Sequence, residues 1–110
     1  NGARFDLWKD QDNKMWYFVL RAEDGRILLE SEDYQARGGA VNGIVSVREN
    51  GKLEQRYKII VGEDGVYVSL KAGNNHEIAT SGPYASETDA ASLINETRNL
   101  LDSERVANPW

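Results

Sequence analysis

The sequence predicts an α+β domain in which two tandem β-β-β-α repeats share one antiparallel sheet, with two helices packed on one face. Three observations carry that expectation. First, residues 15–47 occur twice: slid forward fifty positions, Tyr17, Leu20, Ala22, Ser31, Tyr34, Ala40 and Ile44 fall on Tyr67, Leu70, Ala72, Ser81, Tyr84, Ala90 and Ile94. Seven identities in thirty-three ungapped positions exceed the about two expected by chance, and a period near fifty is the length of one supersecondary unit. Second, alternating apolar and polar residues recur in short runs bounded by Gly, Asn and Asp. Third, each set of runs ends in apolar residues at helical spacing.

In order, Arg4–Lys9 reads as a strand with Phe5 and Leu7 on one face and Asp6 and Trp8 on the other. Residues 10–14 are a polar turn. Residues 15–22 form the clearest strand, Trp16, Phe18, Leu20 and Ala22 alternating with Tyr17, Val19 and Arg21. Asp24-Gly25 signals a hairpin because both residues tolerate positive φ, and Ile27–Ser31 returns. Ala36, Ala40, Ile44 and Val47 then share a helical face, with Asn50-Gly51 as a C-terminal stop. Gly38, Gly39 and Gly43 weaken that helix by up to ~1 kcal/mol each, which points to close helix-on-sheet packing or, at Gly38-Gly39, an irregular first turn.

The second unit repeats the order. Residues 55–61 form a strand with Tyr57, Ile59 and Val61 on one face; Glu63-Asp64-Gly65 turns it into 66–72; and 78–81 is the third strand, ended by Gly82-Pro83. Ser86 with Asp89 three residues on resembles a capping box. Ala90, Leu93, Ile94, Thr97, Leu100 and Leu101 give a broad apolar stripe. The repeats span about 4–51 and 55–103 within a single domain, and 104–110 is a tail, open between a short strand and a frayed end. Neither fifty-residue half is large enough to bury a stable core alone, so the two share one.

These residues carry a resemblance. Leu20-Arg21-Ala22, Asp24-Gly25, Ser31, Tyr34 and Asn42-Gly43-Ile44-Val45-Ser46-Val47, with Leu70-Lys71-Ala72, Ser81, Tyr84 and Ile94, resemble the repeat of the YegP-like family of small bacterial proteins of uncharacterised function. The resemblance implies paired β-β-β-α(-β) repeats sharing one sheet with exchanged C-terminal strands. It implies no catalytic residues. Asn74-Asn75 and Ser92-Leu93-Ile94 depart from the pattern in the second repeat.

Composition excludes several classes. A net charge of −5 with interspersed signs opposes nucleic-acid binding, which needs a basic surface to displace counterions. Absence of cysteine removes disulfides, thiolate metal sites and cysteine nucleophiles, and fits a reducing compartment. No apolar run reaches the ~18–20 residues of a membrane helix. The chain opens Asn1-Gly2-Ala3 without methionine, so a trimmed or excised chain is expected, with the cytoplasm as its place.

Candidate chemistry is sparse. His76, the single histidine, lies in a predicted turn without converging partners, and is expected in solvent. Asp10, Asp12 and Asn13 echo a calcium loop but lack the glycine at loop position six and the glutamate at twelve, where Met15 and Arg21 stand. Ser31 with Tyr34 and Ser81 with Tyr84 recur at one spacing; without a neighbouring base they read as strand closures with a packed tyrosine. Asn95-Glu96-Thr97 matches a glycosylation acceptor in a predicted helix and carries no weight. No catalytic, cofactor or metal site is expected. What rises above background is the sheet face away from the helices, where Trp8, Tyr17, Val19, Ile60 and Tyr67 are expected as an interaction surface. The leading reading is a non-enzymatic module binding a protein partner through that face or a sheet edge. The alternative is single-stranded nucleic acid stacked on the same aromatics, and the expected state is an internally two-fold monomer or a weak homodimer.

Overall fold

The structure, a computed structural model, describes residues 2–110; Asn1 of the Asn1-Gly2-Ala3 opening lies outside them. The elements run β1 (Arg4–Lys9), β2 (Trp16–Arg21), β3 (Ile27–Ser31), α1 (Arg37–Asn50), a 3₁₀ turn (Glu54–Arg56), β4 (Tyr57–Gly62), β5 (Gly65–Lys71), β6 (Glu77–Tyr84) and α2 (Glu87–Asp102). Six strands make one antiparallel sheet in the order β1-β2-β3-β6-β5-β4. The two meanders meet at β3 and β6, where Glu30 pairs with Thr80 and Ser31 with Ala79.

One core joins the inner face of the sheet to both helices. Phe5, Phe18, Leu20, Val68 and Leu70 pack with Ala40, Ile44 and Val47 of α1 and with Ala90, Leu93, Ile94 and Leu101 of α2. Each fully buried large side chain there stabilises the fold by about 1.5–3 kcal/mol. Helix α2 follows its sequence signals: Ser86 is the N-cap, and its hydroxyl accepts a hydrogen bond from the Asp89 amide at 3.1 Å.

Helix α1 differs from expectation at its start. Ala36 is an exposed N-cap with no side-chain bond, and Gly38-Gly39 are regular helix. At the other end Gly51 is the C-cap, as the Asn50-Gly51 stop predicts, and it is right-handed at φ −67°. Its role is space, since an added Cβ would run into Leu101 and sit 2.6 Å from the Val47 carbonyl. Gly43 answers the packing question the same way: a Cβ there would lie 2.8 Å from Phe18 Cε2 and collide with the Tyr34 hydroxyl.

Three further expectations are corrected. Residues 54–56 coil into a 3₁₀ turn, so β4 starts at Tyr57. Gly82-Pro83 does not end β6, which runs on to Tyr84 through a bulge opposite Val66–Val68. Gly82 takes φ +120°, a region glycine alone enters freely, and the bulge sets an extra residue outside the ladder that proline cannot donate to. Ile59 and Val61 were expected beside Tyr57 on the core face, yet only Tyr57 is buried. Strand β4 is the edge of the sheet: α2 covers it at Tyr57, Ile59 borders an open groove with Ala91, Ile94 and Asn95 of α2, and Val61 stands in solvent.

The tail forms a single parallel bridge between Ala107 and Arg4, in place of an exchanged strand. The Phe5 amide donates to the Ala107 carbonyl at 2.9 Å and the Ala107 amide to that of Ala3 at 3.0 Å. Arg48 of α1 holds the tail down, donating to the Val106 carbonyl at 2.5 Å and to Asn108 Oδ1 at 2.6 Å, its guanidinium 5.0 Å above the Phe5 ring. Burial lowers the pKa of that guanidinium from its ordinary value, opposed by the charge of Glu104. Fifty positions on, Arg98 of α2 reaches the Lys52 carbonyl at 3.4 Å. Each arginine thus fastens the segment that follows the other helix.

Candidate functional site

Strand register decides which residues share the sheet's outer face, because side chains of paired residues lie on the same side. One outward row reads Asp6, Val19, Glu30, Thr80, Ser69, Lys58 across all six strands. The parallel row nearer the hairpin turns holds Trp8 beside Tyr17 at one end and Ile60 beside Tyr67 at the other. All five expected surface residues therefore point outward, but they do not make one patch. Three strand spacings, about 14 Å, separate β2 from β5, and the outward residues between are Glu30 and Thr80.

The two ends differ in build. Trp8 is 42% exposed and stacks on Tyr17, ring centroids 6.0 Å apart and 24° from parallel. Asn13 fixes Tyr17 by donating to its hydroxyl at 2.8 Å. At the other end Ile60 is 47% exposed, and Tyr67 donates its hydroxyl to Asp64 at 2.9 Å. That hydrogen bond to a carboxylate, with smaller contributions from burial and the Asp64 charge, raises the Tyr67 pKa.

Val19 is corrected as a surface residue: it is 3% exposed. Its neighbours on the face are Asp6, Glu30, Tyr17 and Arg21, and Asp6 draws Arg4 and Arg21 inward with ion pairs of 3.1 and 2.7 Å. These long side chains close over a small one. Ser69, in the same row, is also fully buried and donates to Glu77 Oε2 at 2.5 Å.

The hydroxyl pairs separate. Ser31 Oγ accepts from the Phe18 amide at 2.9 Å and donates to the Glu32 carbonyl at 2.7 Å. Tyr34 stacks on Phe18 at 6.1 Å beneath Gly39 and Gly43, and burial, then the Glu32 charge, raises its pKa. In the second pair, the Ser81 and Tyr84 hydroxyls bond each other. Neither serine has a base beside it, so neither is an activated nucleophile.

His76 is exposed in its turn, with Nε2 3.6 Å from Glu32 Oε2. The Asp10 carboxylate accepts from the amides of Asp12 (2.8 Å) and Asn13 (3.2 Å), which occupies it as a turn residue. Thr97 of the Asn95-Glu96-Thr97 triplet is fully buried in α2. Among the described residues no three His, Asp or Glu side chains converge to hold a metal, and no helix is long and apolar enough to cross a membrane. An open groove of about 860 Å³ is lined in part by Ala22, Asp24, Arg26, Glu96 and Asn99. Of the two arginines that line it, Arg26 and Arg105, the first is spent, pairing with Glu96 at 2.5 Å and Asp24 at 2.8 Å. The Glu96 hydrogen bond foremost, then that of Asp24, raises the Arg26 pKa, and Arg26 in turn lowers that of Asp24.

Sequence reading missed the Arg48 clamp and the Ser69–Glu77 pair. A signal for the first was present: Arg48 and Arg98 are a further identity at the fifty-residue offset, one position past the compared window.

Comparison with known proteins agrees with this architecture. Residues 11–57 match a domain of unknown function, DUF1508. A UPF0339 protein of Shewanella oneidensis is 44% identical over 95 residues, 86% of this chain and 84% of that one. The UPF0339 protein YegP of Escherichia coli K12 is 40% identical over 94 residues, 81% of this chain and 84% of its own. The solution structure of a Shewanella oneidensis UPF0339 protein superposes with a TM-score of 0.84 at 32% identity, covering 98% of this chain and 92% of that one. That of yegP of Escherichia coli, a protein of unknown function, gives 0.85 at 32% identity, covering 97% and 92%. The chain belongs to the UPF0339 family.

Proposed function

We propose that this UPF0339 member is a non-enzymatic interaction module that binds a protein partner through the β1–β2 end of its sheet. The observation that carries the reading is the stacked Trp8–Tyr17 pair, outward-facing and held by the Asn13 bond. Large rigid aromatics lose little side-chain freedom on binding, and Trp and Tyr dominate the energetics of protein interfaces. The acidic net charge turns the same platform away from nucleic acid. We infer too that the two β-β-β-α units descend from one duplicated unit, on the fifty-residue offset and the sheet order that reads alike from either edge. The place of action that fits a cysteine-free acidic chain is the cytoplasm.

The test compares pull-downs from native lysate by the wild-type chain and by a Trp8→Ser, Tyr17→Ser double variant, with urea denaturation of both. A partner held by wild type and lost by a cooperatively folding variant is the expected result. A partner held equally by both sinks the proposed platform. Loss of cooperative folding in the variant would make the pair structural.

A further inference from the structure

We propose that strand β4 is a docking edge for a second copy of the chain, pairing antiparallel with its own equivalent to give a two-fold dimer with a continuous twelve-stranded sheet. The site is distinct from the Trp8–Tyr17 platform and rests on different observations. The two edges of the sheet are treated differently. Strand β1 carries Arg4, Asp6 and Lys9 and has the tail bridged to its start. Strand β4 is Tyr-Lys-Ile-Ile-Val-Gly, and every residue after Tyr57 is exposed, Val61 at 65%. Charges and a covering segment are the usual protections of a strand edge against pairing, and β4 has a single lysine. In an antiparallel ladder every second residue of an edge strand points its N–H and C=O outward, so β4 offers a row of unpaired backbone groups.

What selects a second copy over an arbitrary strand is self-complementarity. Centred on Ile60, antiparallel self-pairing sets Ile60 against Ile60, Ile59 against Val61, and Lys58 against Gly62. The aliphatic residues then cover one another on both faces of the sheet. The same register sets Lys58 of each copy opposite Gly62 of the other, and the Asp64 carboxylate of that turn lies 3.5 Å from where a Cβ on Gly62 would stand, within reach of a lysine. Glu63 lies beside Asp64, so a basic strand end meets an acidic turn twice, once on each side of the axis. An isologous contact of this kind closes at two copies. A contact confined to one strand and its turn falls below the ~1,200 Å² of stable complexes, so the dimer is weak and concentration-dependent.

Sedimentation across micromolar to millimolar concentration tests this. The weight-average mass of wild type should rise from 12.3 kDa towards twice that value. Ile60→Lys, which sets like charges together on the axis, and Lys58→Glu, which faces the acidic turn, should each weaken association about tenfold or more. Lys58→Glu combined with Asp64→Lys restores the opposite charges and should restore the dimer. Should Ile60→Lys fail to fold in urea titration, the charge reversal and its rescue decide alone. Wild type that remains at the mass of one chain, a charge reversal without effect, or assembly beyond two copies overturns the proposal. So does a monomeric chain whose β4 edge captures only an aliphatic peptide.

Discussion

Tyr34 and Tyr84 stand three residues after Ser31 and Ser81, fifty positions apart, and they are used in opposite ways. Tyr34 lies flat on Phe18 with its hydroxyl under Gly43 of α1. Tyr84 turns its hydroxyl to Ser81. The cause lies on the helices, because the position matching Gly43 is Leu93. Leu93 is buried and shares a groove with Tyr84, so it fills the place in α2 that glycine leaves empty in α1. One spacing of Ser and Tyr therefore has two outcomes, selected by a single side chain on the neighbouring helix.

Exchanging the two solutions should break the comparison most severely. Leu93→Gly removes a buried leucine and adds a helix-interior glycine, with an expected loss of about 4 kcal/mol in urea denaturation. Gly43→Ala gains helix propensity but forces a Cβ towards Phe18 and the Tyr34 hydroxyl. Net destabilisation of about 2 kcal/mol is expected, and Tyr34→Phe in that background should return part of it by removing the oxygen. A gain in stability for Gly43→Ala alone would show that the seat is loose.

The helix starts sharpen the contrast at smaller cost. Ser86→Ala should lose about 1 kcal/mol, whereas Ala36→Ser supplies the cap α1 lacks and should gain a comparable amount, both read from denaturation midpoints. Smallest is a pH effect in the first half. Burial raises the Tyr34 phenol above 10.0, so the folded chain holds its proton where the unfolded chain has lost it. The associated stability is fully present below pH 10 and is lost as pH rises through the folded value. Unfolding midpoints should decline more steeply above pH 10 in wild type than in Tyr34→Phe.

Legibility in the sequence followed the range of the interaction involved. Period-two alternation located β1, β2, β3 and β5 to within a residue at either end, and Ser86 with its apolar stripe located α2, because those signals are local. Gly38-Gly39 hid the start of α1, since glycine's low propensity does not say whether packing overrides it. Alternation also assigns a side chain to a face without saying whether anything covers that face. Val19 is closed over by Asp6 and Arg21 from another strand and its own, and Val61 is open because nothing lies beyond β4. Both depend on strand order, which spacing along the chain does not contain. The aromatic platform was half legible for the same reason: its residues were named, but not its division into two ends.

The seam between β3 and β6 has a consequence in time. Lys9 and Trp16 close a hairpin seven positions apart, Glu30 and Thr80 meet across fifty, and Phe5 and Ala107 across 102. At about 0.6 kcal/mol for each doubling of loop length, closing the seam costs roughly 2 kcal/mol more chain entropy than closing a hairpin. The meanders therefore form early and the seam late, with the tail after it. Until the seam shuts, β3 and β6 are two further open edges, and the interval before they find each other is when a crowded chain is most exposed to pairing with the wrong copy.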